Sequence, residues 1–395
     1  MYCFWLVVFW LSVFITCYTY VGYAVVLWLM VKIKEAVKGK KAWPAVDNYP
    51  EVTLLVAAYN EKDNVDAKVK NSLELEYPKD KLKLVWVSDG SDDGTTEMLQ
   101  KYPEITVFHQ PERYGKVSAI NRAVPLLTTP IIVFSDANTE LVGDAVSRMV
   151  RFFADPKVGC VSGEKRIFVN QKDVAAGSGE GLYWKYESFQ KRYDARLYSV
   201  VGTAGELFAI RRDLYTEMES DTLLDDFMIS LRIAMKGYVT QYDPDAYAYE
   251  TSSLNVKEEL KRKIRISAGG FQSMVRLAPL LNIFKYGVLS FQYISHRVLR
   301  WTLAPLCLLL LLISNSVLAC QAGLFSCNFF SVIFWMQVLF YVMVLWGWLL
   351  ENKQIKFKIL FVPYYFFIMN LSVYLGWLRY MKKNQDVKWE RAKRR

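Results

Sequence analysis

Histidine and paired cysteines are scarce in this chain of 395 residues. The two histidines are His109 and His296, and none of the six cysteines forms a C-x-x-C pair. These absences exclude a zinc site built from cysteine and histidine at the usual short spacings. The chain also lacks a glycine-rich Walker loop, so a phosphoryl transferase has no support. Cys320 and Cys327 flank a short loop where a disulfide is an alternative, but free thiols are the favoured interpretation.

The polar part of the chain lacks a basic stripe interleaved with aromatic residues, so nucleic acid is not the expected partner. The net charge is nevertheless +10, and part of it is concentrated beside apolar segments. Basic residues at such places favour a cytoplasmic face and contact with anionic membrane lipids. They are Lys32, Lys34, Lys38, Lys40 and Lys41 near the start, and Lys382, Lys383, Lys388, Arg391, Lys393, Arg394 and Arg395 at the end.

Apolar segments long enough to cross a bilayer occupy residues 4–31, 301–320, 329–350 and 359–380. The first follows no basic residue and precedes no small-residue cleavage pattern, so we expect an uncleaved anchor. If every segment crossed, the basic tail would lie outside, against the positive-inside tendency. Either one segment is interfacial or re-entrant, or the tail breaks the rule. The suspect is 359–380, because Pro363 and Asn370 interrupt it.

These patterns predict a multi-pass protein of the cell inner (plasma) membrane with a cytoplasmic catalytic domain. Residues 1–41 form the anchor and its basic flank, and 42–253 the cytoplasmic domain. Residues 254–300 are basic and amphipathic, as is typical of helices at a membrane surface. Residues 301–395 form a C-terminal membrane region with a basic tail.

The cytoplasmic part alternates short apolar runs with helical stretches. Runs at 52–58, 82–87, 105–108 and 131–134 read as buried strands, with helices around 62–76, 93–101 and 115–127. Such alternation predicts an α/β fold with a mostly parallel sheet and helices on both faces. Ligands bind beyond the carboxyl ends of such strands, where this chain places acidic residues.

A series of short motifs in this region resembles family-2 inverting glycosyltransferases over roughly residues 50–270. Each motif is weak alone, but their common order makes the resemblance strong. It implies a Rossmann-like, nucleotide-sugar-binding domain of the GT-A type. The motifs are Tyr59-Asn60-Glu61, Ser88-Asp89-Gly90-Ser91-Asp92-Asp93-Gly94, Gly115-Lys116, Ser135-Asp136-Ala137-Asn138, Gly202-Thr203-Ala204-Gly205 and Leu224-Asp225-Asp226.

On the donor side, the resemblance implies that Asp89 accepts a hydrogen bond from the uracil imide, with Tyr59 and Glu61 beside the base and ribose. Alone, Asp89-Gly90-Ser91 would read as an ordinary turn after a strand. Lys116 would add a cation near the nucleotide, and Arg113 is a lesser candidate.

The motif Asp136-Ala137-Asn138 occupies the family's D-x-D position, which implies Mg²⁺ or Mn²⁺ held by hard oxygen ligands. Asn138 offers an amide oxygen without charge, so weaker metal affinity is expected, and taken alone it also fits the plain end of a strand. Asp136 is the stronger candidate, as an anchor to the metal or to the ribose.

On the acceptor side, Asp226 matches the catalytic base of the family, with Asp225 in the position of its neighbouring Glu. A single base with direct attack implies inversion. The pair also suits the first turn of a helix, where the dipole favours negative charge, and both interpretations can hold together. Gly202, Gly205 and Glu206 are expected to line the acceptor.

Processive members of the family carry Q-x-x-R-W on an interfacial helix, where this chain has Arg262-Lys263-Ile264-Arg265-Ile266. Arg265 remains a good diphosphate ligand by its charge and fork geometry, whereas Ile266 offers no aromatic platform to a sugar. Binding of these cations to lipid head groups alone is the competing interpretation.

The sequence therefore predicts a membrane-embedded glycosyltransferase that moves a hexosyl or N-acetylhexosaminyl group from a nucleotide sugar, favoured as a UDP-sugar. The acceptor would be a lipid-linked or polymeric glycan in cell-surface polysaccharide synthesis. The alternatives are a processive synthase resembling hyaluronan, cellulose or poly-N-acetylglucosamine synthases that extrudes its own polymer, and a non-catalytic membrane scaffold.

Overall fold

The structure is a computed structural model that describes residues 1–45, 48–168, 176–251, 256–351 and 358–383. Within these residues, eight strands form one mixed sheet in the order β3-β2-β1-β4-β7-β6-β8-β5. The strands are β1 (Val52–Ala58), β2 (Leu82–Asp89), β3 (Ile105–Gln110), β4 (Ile131–Asp136), β5 (Glu140–Leu141), β6 (Val158–Phe168), β7 (Leu207–Arg211) and β8 (Val239–Thr251).

The first half of the sheet follows the sequence prediction. Strands β3, β2, β1 and β4 run parallel to one another. β1, β2 and β4 are largely apolar because both of their faces are covered, whereas β3 at the edge is partly exposed. On β1, Leu54 and Val56 pack into one buried layer and Leu55 packs into the other, as the alternation of side chains along a strand requires.

The second half of the sheet departs from a parallel arrangement. β7 pairs antiparallel with both β4 and β6, while β6 pairs parallel with β8. β5 pairs antiparallel with β8 at the edge. The expectation of a mostly parallel sheet therefore holds for the half that comes first in the chain, and the complete sheet is mixed.

Helices cover the sheet and continue beyond it. In the described part of the chain they are α1 (Tyr2–Cys17), α2 (Tyr23–Lys38), α3 (Lys62–Leu73), α4 (Thr95–Leu99), α5 (Lys116–Ala123), α6 (Ala145–Val150), α7 (Ala176–Leu197), α8 (Asp225–Met235), α9 (Val256–Arg276), α10 (Ile283–Tyr286), α11 (Val288–Tyr293), α12 (Leu299–Trp301), α13 (Leu303–Ala322), α14 (Phe329–Glu351) and α15 (Lys358–Met381). A π-helical turn, Tyr18–Gly22, joins α1 to α2.

Among the described residues, three helices are long and apolar enough to cross a membrane: Tyr2–Lys38, Leu303–Ala322 and Phe329–Leu350. The suspect segment 359–380 falls in α15, which packs against the amphipathic helix α9. A Cβ on Gly376 would lie 2.5 Å from Cβ of Ser267, so the two helix backbones approach closely there. The hydroxyl of Tyr20, in the π-helical turn, donates to Oδ1 of Asn370 on α15 at 2.6 Å.

The N-terminal helix is fixed to the catalytic domain at its basic end. Nζ of Lys34 donates to the carbonyl oxygens of Arg196 and Leu197 at the end of α7, at 2.8 and 2.7 Å. The Arg196 guanidinium in turn forms two hydrogen bonds to the Glu35 carboxylate. All six cysteines, including Cys320 and Cys327, are free thiols.

Candidate active site

Asp89, the last residue of β2, organises the loop that leads into α5. Its carboxylate is 3% exposed and accepts the backbone N–H groups of Tyr114 at 3.2 Å and Gly115 at 2.6 Å. A Cβ on Gly90 would lie 2.7 Å from the backbone nitrogen of Arg113, and Gly90 has a φ of +67°, so glycine is required there. Asp89, whose carboxylate is predicted to bind the nucleotide base, therefore also positions Lys116 at the start of α5.

Tyr59 and Glu61 follow β1 and lie at the same edge of the sheet. The Arg113 guanidinium stacks 3.6 Å from the centroid of the half-buried Tyr59 ring. Arg113, the second candidate for a cation near the nucleotide, therefore lies in this part of the site. Glu61 is buried, and its carboxylate accepts from the Asn64 side-chain amide at 2.5 Å. The structure thus brings these residues beside Asp89, where the resemblance places the base and ribose.

Lys116 lies between two acidic residues that belong to different elements. Its Nζ is 2.9 Å from Oδ1 of Asp136, at the end of β4, and 3.2 Å from Oδ2 of Asp225, at the start of α8. Burial alone would lower the pKa of Lys116, but the carboxylates of Asp136, Asp225 and Asp226 outweigh it and raise that pKa above its ordinary value. An ammonium group that is held charged in this way is a suitable partner for a phosphate-bearing ligand.

Asn138 is half-buried two residues beyond Asp136, on the same turn. Within the described residues, no three His, Cys, Asp or Glu side chains cluster as a ready-made metal site. Mg²⁺ and similar ions nevertheless bind through one or two carboxylates together with substrate phosphates. One carboxylate and one amide oxygen fit a divalent ion that takes most of its other ligands from a diphosphate.

Asp226 follows Asp225 in the first turn of α8 and lies against the loop that precedes β7. A Cβ on Gly205 would sit 3.5 Å from Cγ of Asp226, which is van der Waals contact, and the Thr203 hydroxyl donates to the Asp226 carbonyl at 3.0 Å. Burial raises the pKa of Asp226 to about 7, and the neighbouring Asp225 and Glu206 act in the same direction. A carboxylate with that pKa is matched to proton abstraction near neutral pH.

Gly202 and Gly205, the two glycines of this loop, lie against different residues of α8. Gly202 has a φ of +98°, and a Cβ there would lie 2.5 Å from Cδ2 of Phe227, the residue after Asp226. Gly205 meets Asp226 itself. Gly202 therefore constrains the start of α8, whereas Gly205 only lies next to the candidate base; the place of both on the acceptor side stays a prediction.

Glu206 is anchored by a buried lysine on the neighbouring strand. Nζ of Lys165, on β6, is 2.6 Å from Oε1 of Glu206 and also bonds the buried carboxylate of Glu250 on β8. Burial alone would raise the pKa of Glu206, but Lys165 and then Arg262 hold it well below its usual range. The Trp184 ring lies beside this group, 5.4 Å from Nζ of Lys165.

Arg265, on α9, lies in the same cluster. Burial lowers its pKa, while Asp225 and Asp136 oppose that effect through their charge, so the guanidinium lies in the field of both carboxylates. Further along α9, a Cβ on Gly270 would lie 2.8 Å from the indole of Trp301. That indole also packs edge-to-face on Phe227 at 5.5 Å.

The mixed sheet, with acidic residues at the carboxyl ends of its parallel strands, defines a glycosyltransferase of the GT-A type. A family model described as Glycosyltransferase like family 2 matches residues 50–269, more than half of the chain, and the protein belongs to that family. The predictions of family, fold and enzyme class are thereby confirmed.

Similar curated proteins are bacterial synthases. A poly-beta-1,6-N-acetyl-D-glucosamine synthase of Staphylococcus aureus is 26% identical over 239 residues, which are 58% of this chain and 57% of that relative. The Staphylococcus epidermidis enzyme of the same name is 23% identical over 292 residues, 71% of this chain and 70% of the relative. The match to the S. aureus proteins thus spans little more than half of their length.

Among solved structures, a mannosyltransferase from Pyrobaculum calidifontis in complex with GDP-Man and Mn²⁺ superposes with a TM-score of 0.69. The comparison covers 95% of this chain and 99% of that one, at 22% sequence identity. At that identity the likeness concerns the fold, which extends over nearly the whole chain.

Proposed function

We propose that this glycosyltransferase moves a sugar, with inversion, from a nucleotide diphosphate donor to a hydroxyl of a membrane-proximal glycan or lipid-linked acceptor. The observation that carries the proposal is the presence of two kinds of group in one charge cluster. Lys116, paired with Asp136, and Arg265 are suited to a diphosphate and its ion. Asp226, next to Gly205, carries a raised pKa.

Asp226 would act as the general base. Its carboxylate accepts the proton of the acceptor hydroxyl while that oxygen attacks the anomeric carbon and the bond to the diphosphate breaks. Asp225, paired with Lys116, faces the donor side and leaves the base role to its neighbour. Attack opposite the leaving group converts an α-linked donor into a β-linked product.

The leaving diphosphate needs positive charge, which Lys116 and Arg265 supply. Asp136 and Asn138 would hold Mg²⁺ or Mn²⁺, an ion that neutralises diphosphate charge when it is bound. The Mn²⁺ in the Pyrobaculum enzyme supports this assignment by fold likeness. A chelator is expected to suppress transfer, and added Mn²⁺ or Mg²⁺ to restore it; full turnover in excess chelator would remove the metal assignment.

Recognition of the base is proposed for Tyr59, Glu61 and Asp89, with uracil as the favoured base. The Staphylococcus relatives, named for poly-N-acetylglucosamine synthesis, support an N-acetylhexosamine donor. The Pyrobaculum enzyme binds GDP-Man, so a guanine nucleotide is the competitor. A panel of UDP-sugars and GDP-mannose, scored by nucleotide release, separates the two.

A processive synthase that also extrudes its polymer is the second candidate function, because the matching relatives are named as synthases. Ile266 lacks the aromatic ring expected for such enzymes at its position on α9. Incubation with the donor alone and measurement of product size would decide: a long polymer supports the synthase, and single additions to a supplied acceptor support a simple transferase.

The proposed acceptor is membrane-proximal, so the position of the catalytic domain relative to the membrane is part of the proposal. Three helices suited to membrane crossing and the lysines after the first one support a multi-pass protein with its catalytic domain in the cytoplasm. Membrane lipids would then surround α13 and α14, with α9 near the surface. Protease access to the catalytic domain in inside-out vesicles, and protection in right-side-out vesicles, is the expected result.

A further inference from the structure

Helix α3 buries a lysine beneath the turn that carries Asp136 and Asn138. Lys68 is 2% exposed, and its ammonium faces the segment between β4 and β5. It donates to the Ser135 hydroxyl at 2.7 Å, to the Thr139 carbonyl at 2.8 Å and to the Thr139 hydroxyl at 3.3 Å. The residues that accept these bonds immediately bracket the two candidate metal ligands.

Those acceptors are also bonded to one another. The hydroxyls of Ser135 and Thr139 lie 3.1 Å apart, and the Thr139 hydroxyl is 2.9 Å from the Asp136 carbonyl oxygen. The backbone carbonyl of Asp136 is therefore turned toward the inside of the turn. Its carboxylate is left to face Lys116 and the site.

A buried ammonium is a costly way to join a helix to a turn. Removing such a charge from water costs several kcal/mol unless hydrogen bonds and nearby opposite charges compensate. Here three hydrogen bonds offset part of that cost. Burial lowers the pKa of Lys68 to about 7, and the attraction of the Asp136 and Glu140 carboxylates opposes that effect only in part. The charge also lies directly below the residues that would meet a diphosphate.

We propose that Lys68 is a positioning residue that fixes the turn 135–139, so that the Asp136 carboxylate and the Asn138 amide are presented together to the donor diphosphate and its divalent ion. The proposal rests on the donor role given to Asp136 and Asn138 under the proposed function. Lys68 touches neither ligand directly and acts through Ser135 and Thr139. Because α3 begins just after Glu61, the same helix also ties this turn to the nucleotide side of the site.

The test is Lys68→Met, which keeps an unbranched side chain only one atom shorter and removes the ammonium donors. Asn71→Ala is the matched control, because Asn71 lies one turn further along α3 and joins it to the backbone of Leu141 through two bonds of 2.8 Å. Both variants cut a bond between α3 and the strand region, but only the first frees the turn 135–139. Each is made in the full-length chain.

Binding of UDP and of GDP, each with and without Mn²⁺, is measured by calorimetry, and the wild type decides which nucleotide is used. Loss of a residue that orients metal ligands typically weakens metal affinity about 10–100-fold. Lys68→Met is expected to weaken Mn²⁺-dependent nucleotide binding to that extent, whereas Asn71→Ala keeps wild-type affinity. In activity assays, the donor KM and the Mn²⁺ requirement rise while the acceptor KM stays unchanged.

Unchanged nucleotide and Mn²⁺ affinity in folded Lys68→Met would overturn the positioning role alone. If that variant does not fold, Thr139→Val replaces it: the bond to the Asp136 carbonyl and one acceptor of Lys68 are lost, and a smaller loss of affinity is expected. Wild-type affinity in Thr139→Val would likewise overturn the role. A wild-type protein that binds neither nucleotide would instead overturn the proposed donor site, and this inference with it.

Discussion

Gly202→Ala is predicted to damage both stability and turnover, through a contact that involves no substrate. Gly202 has a φ of +98°, and an added Cβ would lie 2.5 Å from Cδ2 and 2.9 Å from Cε2 of Phe227. Phe227 is 5% exposed and directly follows Asp226, so its ring cannot yield without moving the start of α8. The substitution therefore acts on the candidate base through the backbone.

The magnitude has two parts. A side chain in the left-handed region costs roughly 1–2 kcal/mol, and overpacking of a filled core adds about 1–3 kcal/mol. Gly237→Ala is the control, because Gly237 has a φ of +93° but no atom within 4 Å of the added Cβ. It carries the first cost alone, so the difference between the variants isolates the contact with Phe227.

The assay compares thermal midpoints of the purified proteins and kcat at a temperature where both are folded. Each kcal/mol lowers the midpoint of a domain of 150–250 residues by about 2–4 °C, so Gly202→Ala should melt several degrees below Gly237→Ala. A displacement of about 1 Å at a catalytic group can cost about 10²-fold in rate, which is the loss expected for Gly202→Ala alone. Equal midpoints and equal kcat in the two variants would refute the reasoning.

Three further predictions follow from the charges in the site. Wild-type kcat should rise with pH through about 7, because Asp226 must lose its proton to act as the base; a flat profile between pH 5.5 and about 9 would contradict this. Lys116→Gln should move that rise to higher pH, since the Lys116 charge lowers the pKa of Asp226, and should weaken nucleotide binding in calorimetry. Lys165→Met should lower the thermal midpoint sharply, because breaking a buried ion pair costs about 3–5 kcal/mol, and the change removes the ammonium that Glu206 and Glu250 share; a midpoint equal to that of the wild type would show the network to be dispensable.

The meeting of the acidic residues at one edge of the sheet was predictable because its geometry is nearly local. Parallel strands end at one edge of a sheet, so acidic residues at those ends must meet. Asp89 and Asp136 are indeed the last residues of β2 and β4. The prediction that Asp225 and Asp226 open a helix is confirmed as well, because α8 begins at Asp225.

The second half of the sheet was not predictable in this way. β7 lies between β4 and β6 in space, yet follows both in the chain, and its antiparallel direction depends on pairings distant in sequence. Short apolar runs do not encode the direction in which a strand is paired. The mixed character of the sheet therefore became visible only in the fold.

Lys68 was missed for a different reason. It lies in a helix with many polar residues, so it reads as an ordinary surface charge. Only packing shows that it is enclosed and hydrogen-bonded. A comparison of motifs shows that Ile266 stands where processive family members have Trp. It cannot show that Trp301 packs against α9 at Gly270.

The central claim is that Asp226 is the base for sugar transfer, and Asp226→Asn tests it most directly. The native pKa of Asp226 is raised above its unfolded value, so stability falls as pH rises from that value through about 7, and the amide removes this cost. The variant should therefore remain folded at pH 8, bind the nucleotide with wild-type affinity and transfer no sugar. Wild-type turnover in this variant would contradict the assignment.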